Sequence, residues 1–402
     1  MGQEGSPMAR WRWSVLAGMM IVLAVVLSRG LPVAGQESLQ VLRNEVTVQY
    51  PFSVRFELTA ESSLARIVTV RIHWRAGLDD VFHTQLLRQE PARTVSAYYS
   101  LNAQALRLPP FAEVAYRWEI QDEDGRSLTT ETRTFEYVDD RHPWEEIANE
   151  RLRLLWYGLD KTFAQELFGI ADAAYLRLVD YFDVELESRP VVLIYPDREA
   201  FGEFQGLLHN VEFVIGRYFP GHNVTANLVT PEMPPAVYEA TLAHELSHLF
   251  SDHYYVGFSR IPAWLEEGLA TYNETPNRAH DYLLVQQAAA RGELVPFIAL
   301  PAAIRAGDVR VTNLAYAEGA TVFQFIAETW GEEAVSRFLD AFRRTSNLEN
   351  VSTELFGLSM AELEMAWRAW LGYPTDSVPQ LQPTPTLMPF SMPTPTLWAP
   401  PG

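Results

Sequence analysis

Short alternations of apolar and polar residues dominate the first third of the chain, from about residue 36 to residue 140. Runs such as SVRFEL, RIVTVRIHW and VAYRWEI carry an apolar residue at every second position, which is the period of a strand with one buried face. Asp124 and Gly125 stand between two such runs and predict a hairpin turn. Several short strands at this spacing predict an N-terminal β-sandwich over residues 36–140.

The end of this predicted domain also resembles a known module. The run from Leu108 to Val138 is similar to the last part of a fibronectin type III or immunoglobulin-like domain. The chain has no cysteine, so the disulfide of true immunoglobulin domains is absent and the resemblance implies the fold only. We expect this domain to act as a spacer, a packing support or a substrate contact.

Helical spacing replaces the strand period after residue 140. The pattern predicts strands at 152–157 and 190–195 and an edge strand at 223–230. It predicts helices at 161–183, from 197 onward, at 236–255 and over most of 262–370. The fold class is therefore α+β, with a small mixed sheet and a helical lobe in a second domain over residues 141–373.

The two ends of the chain differ in composition from the two predicted domains. Arg10 and Arg12 precede the apolar run SVLAGMMIVLAVVL, and small residues follow Pro32, so residues 1–35 predict a signal peptide or a membrane anchor. The protein is then extracytoplasmic, secreted or attached to the cell surface, and it contacts the membrane only if this segment stays uncleaved. Residues 374–402 are rich in Pro and Thr, repeat PTPTL, and predict a disordered tail.

Charge and composition exclude several classes of function. The formal net charge is −20, so a basic nucleic-acid-binding surface is not expected. The absence of cysteine excludes disulfides, thiol catalysis and thiolate metal sites. The oligomeric state stays open at this stage.

One motif carries recognisable chemistry, the sequence HELSH at residues 244–248. On a helix, His244 and His248 lie one turn apart on the same face, so both imidazoles reach one metal ion. Glu245 projects about 100° around the helix from His244, which lets it contact a water at the metal without being a ligand. Eighteen residues after His248, the segment WLEEGLATY offers Glu266 and Glu267 as a third ligand. Two imidazoles and one carboxylate leave an open fourth position for water.

HExxH followed after eighteen residues by Glu within a WLxEGxA segment resembles the gluzincin metallopeptidases, in particular the peptidase MA-like and aminopeptidase N-like catalytic domains. The resemblance implies a thermolysin-like zincin fold, a bound Zn²⁺ and Glu267 as the third ligand, with Glu266 as the competing candidate. It also implies an oxyanion-stabilising tyrosine from a Tyr-x-x-Gly segment, which matches Tyr316 here. Tyr272 is a poorer match because it lies too close to the ligand helix.

The chain departs from the aminopeptidase pattern at one point. Aminopeptidase N-like enzymes carry a GAMEN segment that binds the free amine of the substrate, and the predicted edge strand NVTANLVTPE lacks it. The strand remains able to bind an extended peptide by β-augmentation. We therefore expect a polypeptide substrate and endopeptidase rather than aminopeptidase action.

The predicted mechanism is hydrolysis by a metal-activated water, with Glu245 as general base and Tyr316 as oxyanion donor. Asp252 is a possible partner that orients a ligand imidazole. The alternative function is a non-catalytic surface binding or scaffold protein that retains the zincin fold.

Overall fold

The computed structural model describes residues 38–78, 81–206, 214–274 and 278–372. The predicted signal or anchor segment, residues 1–35, and the predicted tail, residues 374–402, lie outside these ranges. None of the helices in the described ranges is both long enough and apolar enough to cross a bilayer.

The N-terminal region consists of antiparallel sheets. Its strands are β1 (Leu39–Gln49), β2 (Ser53–Ser62), β3 (Ile67–Ala76), β4 (His83–Leu87), β5 (Thr94–Asn102), β6 (Glu113–Asp122), β7 (Ser127–Thr129) and β8 (Arg133–Glu136), with a short helix α1 (Ala103–Leu106). One sheet has the order β1-β2-β5 and the other β4-β3-β6-β7, with β8 beside β6.

The period-2 pattern accounts for the core of this region. Val54, Phe56 and Leu58 of β2 point inward and belong to the same buried cluster as Val70 and Ile72 of β3. The predicted hairpin is confirmed, because β6 and β7 pair antiparallel across a turn with Gly125 at φ 83°. The antiparallel N-terminal architecture is thus as predicted, while the fibronectin type III-like topology stays a prediction.

The second region contains a mixed sheet. Its strands are β9 (Glu145–Ala148), β10 (Arg153–Trp156), β11 (Val191–Tyr195), β12 (Gly216–Phe219) and β13 (Val224–Leu228), in the order β12-β13-β11-β10-β9. Strands β10, β11 and β13 run parallel, whereas β9 and β12 pair antiparallel at the two ends.

The prediction of an edge strand at 223–230 was wrong. That segment forms β13, which is an interior strand, and every one of its residues is buried. The edge strand next to it is β12, which the periodicity did not reveal because the strand has four residues and begins with glycine. This correction matters for the site, because β12 borders the zinc-motif helix.

The two faces of the mixed sheet contact different partners. Leu154 and Trp156 face one buried cluster, which contains the helices, and Leu155 faces another, which contains Phe111 and is packed by Trp144. Strand β11 alternates in the same way. The sheet therefore has a helical side and a side covered in part by the segment that follows α1.

The helices that follow agree closely with the predicted ranges. They are α2 (Lys161–Phe182), α3 (Arg198–Gly206), α4 (Pro235–Tyr254), α5 (Ala263–Tyr272), α6 (Arg278–Arg291), α7 (Leu300–Ala303), α8 (Val309–Trp330), α9 (Glu332–Phe342), α10 (Leu348–Phe356) and α11 (Met360–Trp370), with a 3₁₀ turn at Phe297–Ala299. Side-chain caps begin several of them: Asp160 for α2, Asp308 for α8 and Ser359 for α11.

Candidate metal centre

Helix α4 carries the two histidines of the HELSH motif. It begins after Pro234 with Pro235 in its first turn, where a missing N–H removes no intrahelical bond. His244 and His248 follow one turn apart, and their Nε2 atoms lie 3.1 Å from each other. The helix is buried along most of the motif, so the two rings lie inside the protein rather than on its surface.

Helix α5 supplies the carboxylate that meets them. Glu267 Oε2 lies 3.4 Å from His244 Nε2 and 3.3 Å from His248 Nε2. Glu266 occupies a different place, 4.0 Å from the Nδ1 atom on the far side of the His248 ring. The structure therefore brings His244, His248 and Glu267 together, and it separates Glu267 from the competing Glu266.

The spacing of these three atoms fits a tetrahedral ion. With bonds of about 2.0–2.1 Å, tetrahedral zinc holds its ligands about 3.3–3.4 Å apart. The three observed separations are 3.1, 3.3 and 3.4 Å. Two imidazole nitrogens and one carboxylate oxygen are also a donor set that suits zinc. The cluster is thus a candidate metal centre with His244, His248 and Glu267 as its ligands.

A contact between two glycines brings a tyrosine to this centre. A Cβ added to Gly268 would lie 2.4 Å from the backbone carbon of Gly319, so α5 and α8 touch through their backbones at these positions. Tyr316 precedes Gly319 by one turn and its ring stacks on His244, with 6.1 Å between ring centroids and 16° between planes. Both glycines belong to the motifs WLEEGLA and YAEGA that the sequence had singled out.

Glu245 lies beside the ligands but is not one of them. It is buried, with 7% of its surface exposed, and it packs under the edge strand β12. A Cβ on Gly216 would lie 2.4 Å from Glu245 Oε1 and 2.8 Å from a methyl group of Thr241. Only glycine therefore fits at this position of β12, and the strand passes directly over the carboxylate.

A carboxylate that the sequence analysis missed fixes the orientation of the first histidine. Glu274 lies just after the end of α5, and its Oε1 is 2.6 Å from His244 Nδ1. An acceptor at Nδ1 leaves Nε2 free to face a metal. The neighbouring Asn273 donates to Ser247 at 2.9 Å, which ties the end of α5 to α4 between the two histidines. Glu274 follows Glu267 by seven residues, and no spacing rule identifies it.

The charges around the centre are strongly coupled. Burial lowers the pKa of His244, but hydrogen bonds to Glu267 and Glu274 outweigh burial and hold the pKa well above its ordinary value. Burial by itself raises the pKa of Glu267. The hydrogen bonds and charges of the two imidazoles lower this pKa by more than burial raises it, so the carboxylate stays ionised. Burial raises the pKa of Glu245 above its ordinary value. Burial, followed by the charge of Glu267, also raises the pKa of Tyr316, which keeps its phenol protonated.

Two other candidates from the sequence lie elsewhere. Asp252 accepts a hydrogen bond from the Gly221 amide at 2.8 Å and contacts Arg260, so it holds the turn after β12 rather than a ligand imidazole. The positions that support the imidazoles belong to Glu274 and Glu266 instead. Tyr272 packs among Tyr181 and Phe323 and is not near the ligands.

The other side of the His248 ring is covered by the edge strand. Tyr218 of β12 stacks on His248, with 5.8 Å between ring centroids and 22° between planes. The turn after this strand is joined to the N-terminal region, because Leu78 N donates to Gly221 O at 2.6 Å. The centre is therefore enclosed by helices on one side and by β12 on the other.

Comparisons with known proteins assign a family to the second region of the chain. Residues 170–373, about half of the chain, match the family model described as the Peptidase MA superfamily. A comparison with curated protein sequences gave no match. Among solved structures, a variant of an M1 zinc metallopeptidase from Deinococcus radiodurans is 15% identical with a TM-score of 0.37, over 84% of this chain and 95% of that one. An aminopeptidase N family protein from Idiomarina loihiensis is 11% identical with a TM-score of 0.41, over 80% of this chain and 75% of that one. On the strength of the family match, the chain belongs to the Peptidase MA superfamily.

Proposed function

We propose that this protein is a zinc-dependent peptidase that hydrolyses peptide bonds within an extended polypeptide. The observation that carries the proposal is the convergence of the His244, His248 and Glu267 ligand atoms next to a buried carboxylate, Glu245. The membership in the Peptidase MA superfamily supports it. A zinc ion bound by the three ligands supplies Lewis-acid polarisation of the scissile carbonyl and lowers the pKa of water.

Glu245 is proposed as the general base. It is held beside the ligands, under β12, and burial raises its pKa, which makes the carboxylate a stronger proton acceptor. In this role it accepts a proton from the attacking water and delivers that proton to the leaving amine. This mechanism needs no covalent intermediate, and the chain has no cysteine that would form one.

Tyr316 is proposed as the donor to the oxyanion. Its ring is held against His244 by stacking, and α8 is fixed to α5 by the Gly268–Gly319 contact. Because its phenol stays protonated, it has a hydrogen to donate as negative charge develops on the carbonyl oxygen. A rigid donor of this kind stabilises the transition state more than the substrate.

Strand β12 is proposed as the substrate-binding edge. Leu228 N donates to Ile215 O at 2.7 Å, so residues 215, 217 and 219 bond inward to β13. Gly216 and Tyr218 then direct their backbone groups to the open edge of the sheet. A peptide that adds to this edge passes Glu245 at Gly216 and His248 at Tyr218.

The composition of this strand favours endopeptidase over aminopeptidase action. Binding a free substrate amine requires a carboxylate, and β12 consists of Gly216, Arg217, Tyr218 and Phe219. The only charge on this strand is the positive charge of Arg217, which repels an amine. We therefore place the scissile bond inside a chain rather than next to its N-terminus.

The sequence supports an extracytoplasmic site of action. Residues 1–35 combine Arg10 and Arg12 with a following apolar run that is typical of an export signal. We propose that the protein is secreted or held at the cell surface by this segment. Cell fractionation combined with N-terminal sequencing of the mature protein tests this proposal, and recovery of the intact chain from the cytoplasm would contradict it.

The experiment that tests the function is a Glu245→Gln substitution, measured against Glu239→Gln on the same helix. Removal of a general base lowers kcat by about 10²- to 10⁴-fold, while an uncharged isostere leaves the three ligands in place. We expect one zinc per chain in all three proteins and chelator-sensitive cleavage of a peptide library by the parent and by Glu239→Gln. Undiminished cleavage by Glu245→Gln would refute the assignment.

A further inference from the structure

An arginine next to the candidate active site forms no ion pair with a carboxylate in the described part of the chain. Arg217 lies in the middle of β12, is partly buried, and forms no hydrogen bond or ion pair with any residue in the described ranges. Comparable arginines bind carboxylates: Arg71 pairs with Glu119 at 2.7 Å, and Arg368 pairs with Glu364 at 2.7 Å. Arg117 is also partly buried without an ion pair among the described residues, but its guanidinium lies over the Phe82 ring at 4.4 Å from the ring centroid, closer than Arg217 lies to any described ring.

The environment of Arg217 offers its guanidinium no hydrogen-bonded carboxylate among the described residues. Its guanidinium carbon lies 5.8 Å from the centroid of the Phe219 ring, which lies on the same face of β12. Burial and then the positive charge of Arg107 lower the pKa of Arg217, and the charge of Glu245 offsets only part of this lowering. Arg107 is exposed and comes from the N-terminal region, just after α1. The positive charge of Arg107, from a different part of the chain, thus acts on the guanidinium of Arg217.

The geometry of paired strands determines which side chain of a bound peptide lies next to Arg217. Gly216 and Tyr218 face α4, so Arg217 and Phe219 face the opposite side of the sheet. In a peptide added to β12, the residue directly opposite Arg217 projects its side chain to that same side, with Cβ atoms about 4.5–5.5 Å apart. This substrate residue is one position away from the residue opposite Gly216, which lies over Glu245.

We propose that Arg217, assisted by Arg107, selects substrates with an acidic side chain at the position opposite Arg217 on the added strand. The proposal rests on the proposed peptidase function and on β12 as its binding edge. A carboxylate there supplies hydrogen-bond acceptors to a guanidinium that has none among the described residues. The substrate class is therefore acidic segments of extended polypeptides, with Asp or Glu adjacent to the residue nearest the scissile bond.

The test uses quenched fluorescent peptides that differ in one residue. Glu, Gln or Lys is placed in turn at each position on either side of the scissile bond, and kcat/KM is measured for the zinc-loaded protein. A hydrogen-bonded charge pair favours Glu over Gln by about 10-fold or more at one position. We expect Lys at that position to be cleaved more slowly than Gln.

Substitutions of Arg217 then assign the preference. Arg217→Gln should remove the difference between the Glu and Gln peptides, and Arg217→Glu should reverse it in favour of Lys. Arg107→Gln should reduce the preference by less, because Arg107 is exposed. Arg310→Gln is the matched control, since the Arg310 side chain is 93% exposed and lies on α8 away from β12.

A binding measurement separates this proposal from the proposed function. Fluorescence anisotropy with the Glu245→Gln protein measures peptide affinity without turnover, and we expect tighter binding of the Glu peptide that weakens with salt. Equal binding and equal cleavage of all three peptides by the parent would overturn the acidic preference and leave the peptidase function intact. If no peptide is cleaved, the peptidase function fails, and the affinities still decide the preference.

Discussion

The candidate active site has two sides that differ in how they are built. On the helical side, α4, α5 and α8 meet through buried contacts, including backbone contact between Gly268 and Gly319. On the sheet side, a four-residue edge strand covers the site and is joined to the N-terminal region at Gly221. The helical side holds the groups proposed for chemistry, whereas the sheet side holds those proposed for substrate binding.

Because of this difference, we expect the helical side to determine catalysis and the sheet side to determine substrate preference. The metal ligands lie on helices whose positions are fixed by buried packing, so their atoms converge to within 4.8 Å of one another. The edge strand instead ends the sheet within the described residues, and its Arg217 has no ion-pair partner among them. A substitution on the helical side should therefore change catalysis for every substrate, and one on the sheet side should change stability or preference.

The largest effect is expected for the third ligand. Glu267→Gln removes the charged oxygen that contacts both His244 and His248, and we expect loss of bound metal and of all activity. Glu266→Gln is the matched control, because its carboxylate lies on the far side of the His248 ring. Loss of such an outer partner costs about 10- to 100-fold in metal affinity at most. Equal metal loss in both variants, measured by metal analysis after dialysis, would contradict the assignment.

A smaller effect is expected for the oxyanion donor. Tyr316→Phe keeps the stacking on His244 but removes the hydroxyl, and loss of one such donor lowers kcat by about 10²- to 10³-fold. Metal content and KM should change little. Tyr98→Phe, an exposed position in the N-terminal region, is the control. If kcat of Tyr316→Phe stays at the parental value, the phenol has no catalytic role.

One buried group on each side should make the free energy of unfolding depend on pH, and the two dependences should have opposite sign. Burial raises the pKa of Glu318 on α8 from 4.5 to about 8, so between these values the folded protein keeps a proton that the unfolded chain releases. The free energy of unfolding then falls as pH rises through this window, by up to about 1.4 kcal/mol per pH unit. Burial lowers the pKa of His222, beside β12, from 6.5 to about 4. Its contribution to stability is therefore lost as pH falls from 6.5 toward 4.

Urea unfolding from pH 4 to pH 9 checks both windows. Glu318→Gln should flatten the loss of stability at the alkaline end, and His222→Asn should flatten the loss at the acid end. The two windows overlap between pH 4.5 and 6.5, so the Glu318 slope is read above pH 6.5 and the His222 slope below pH 4.5, and each variant is the control for the other there. A parental pH slope that persists in the corresponding variant would show that the residue is not its source.

The smallest effect is expected where the N-terminal region meets the sheet side. Gly77 has φ 66°, and a Cβ there would lie 2.0 Å from Gly221 O. Gly77→Ala therefore combines a backbone cost of about 1–2 kcal/mol with an overlap worth about 1–3 kcal/mol. Gly125→Ala is matched, since Gly125 has φ 83° and nothing within 4 Å. Equal losses of unfolding free energy in urea for the two variants would show that the Gly77 contact is not tight.

The helical side was largely predictable from the sequence, for a physical reason. HExxH spacing reflects one turn of helix, and the buried pattern around it predicted α4 within a residue at each end. WLEEGLA and YAEGA marked Glu267 and Tyr316, because close helix contact requires the glycines that they contain. The local pattern and the tertiary contact thus depend on the same residues.

The sheet side was not predictable in the same way. Strand β12 has only four residues and its partner β13 carries the stronger pattern, so the edge was assigned to the wrong strand. Glu274 contacts His244 through tertiary folding, and Arg217 is proposed to contact substrate across the sheet edge; neither has a spacing that marks it. Periodicity identifies elements, but it does not identify which strand ends a sheet.

The most direct test of the account is a crystal structure of the zinc-loaded protein with anomalous diffraction data on both sides of the zinc absorption edge. We predict one strong peak between His244 Nε2, His248 Nε2 and Glu267 Oε2, at about 2.0–2.2 Å from each. A peak elsewhere, or a metal at this place that does not contact Glu267, would contradict the central claim.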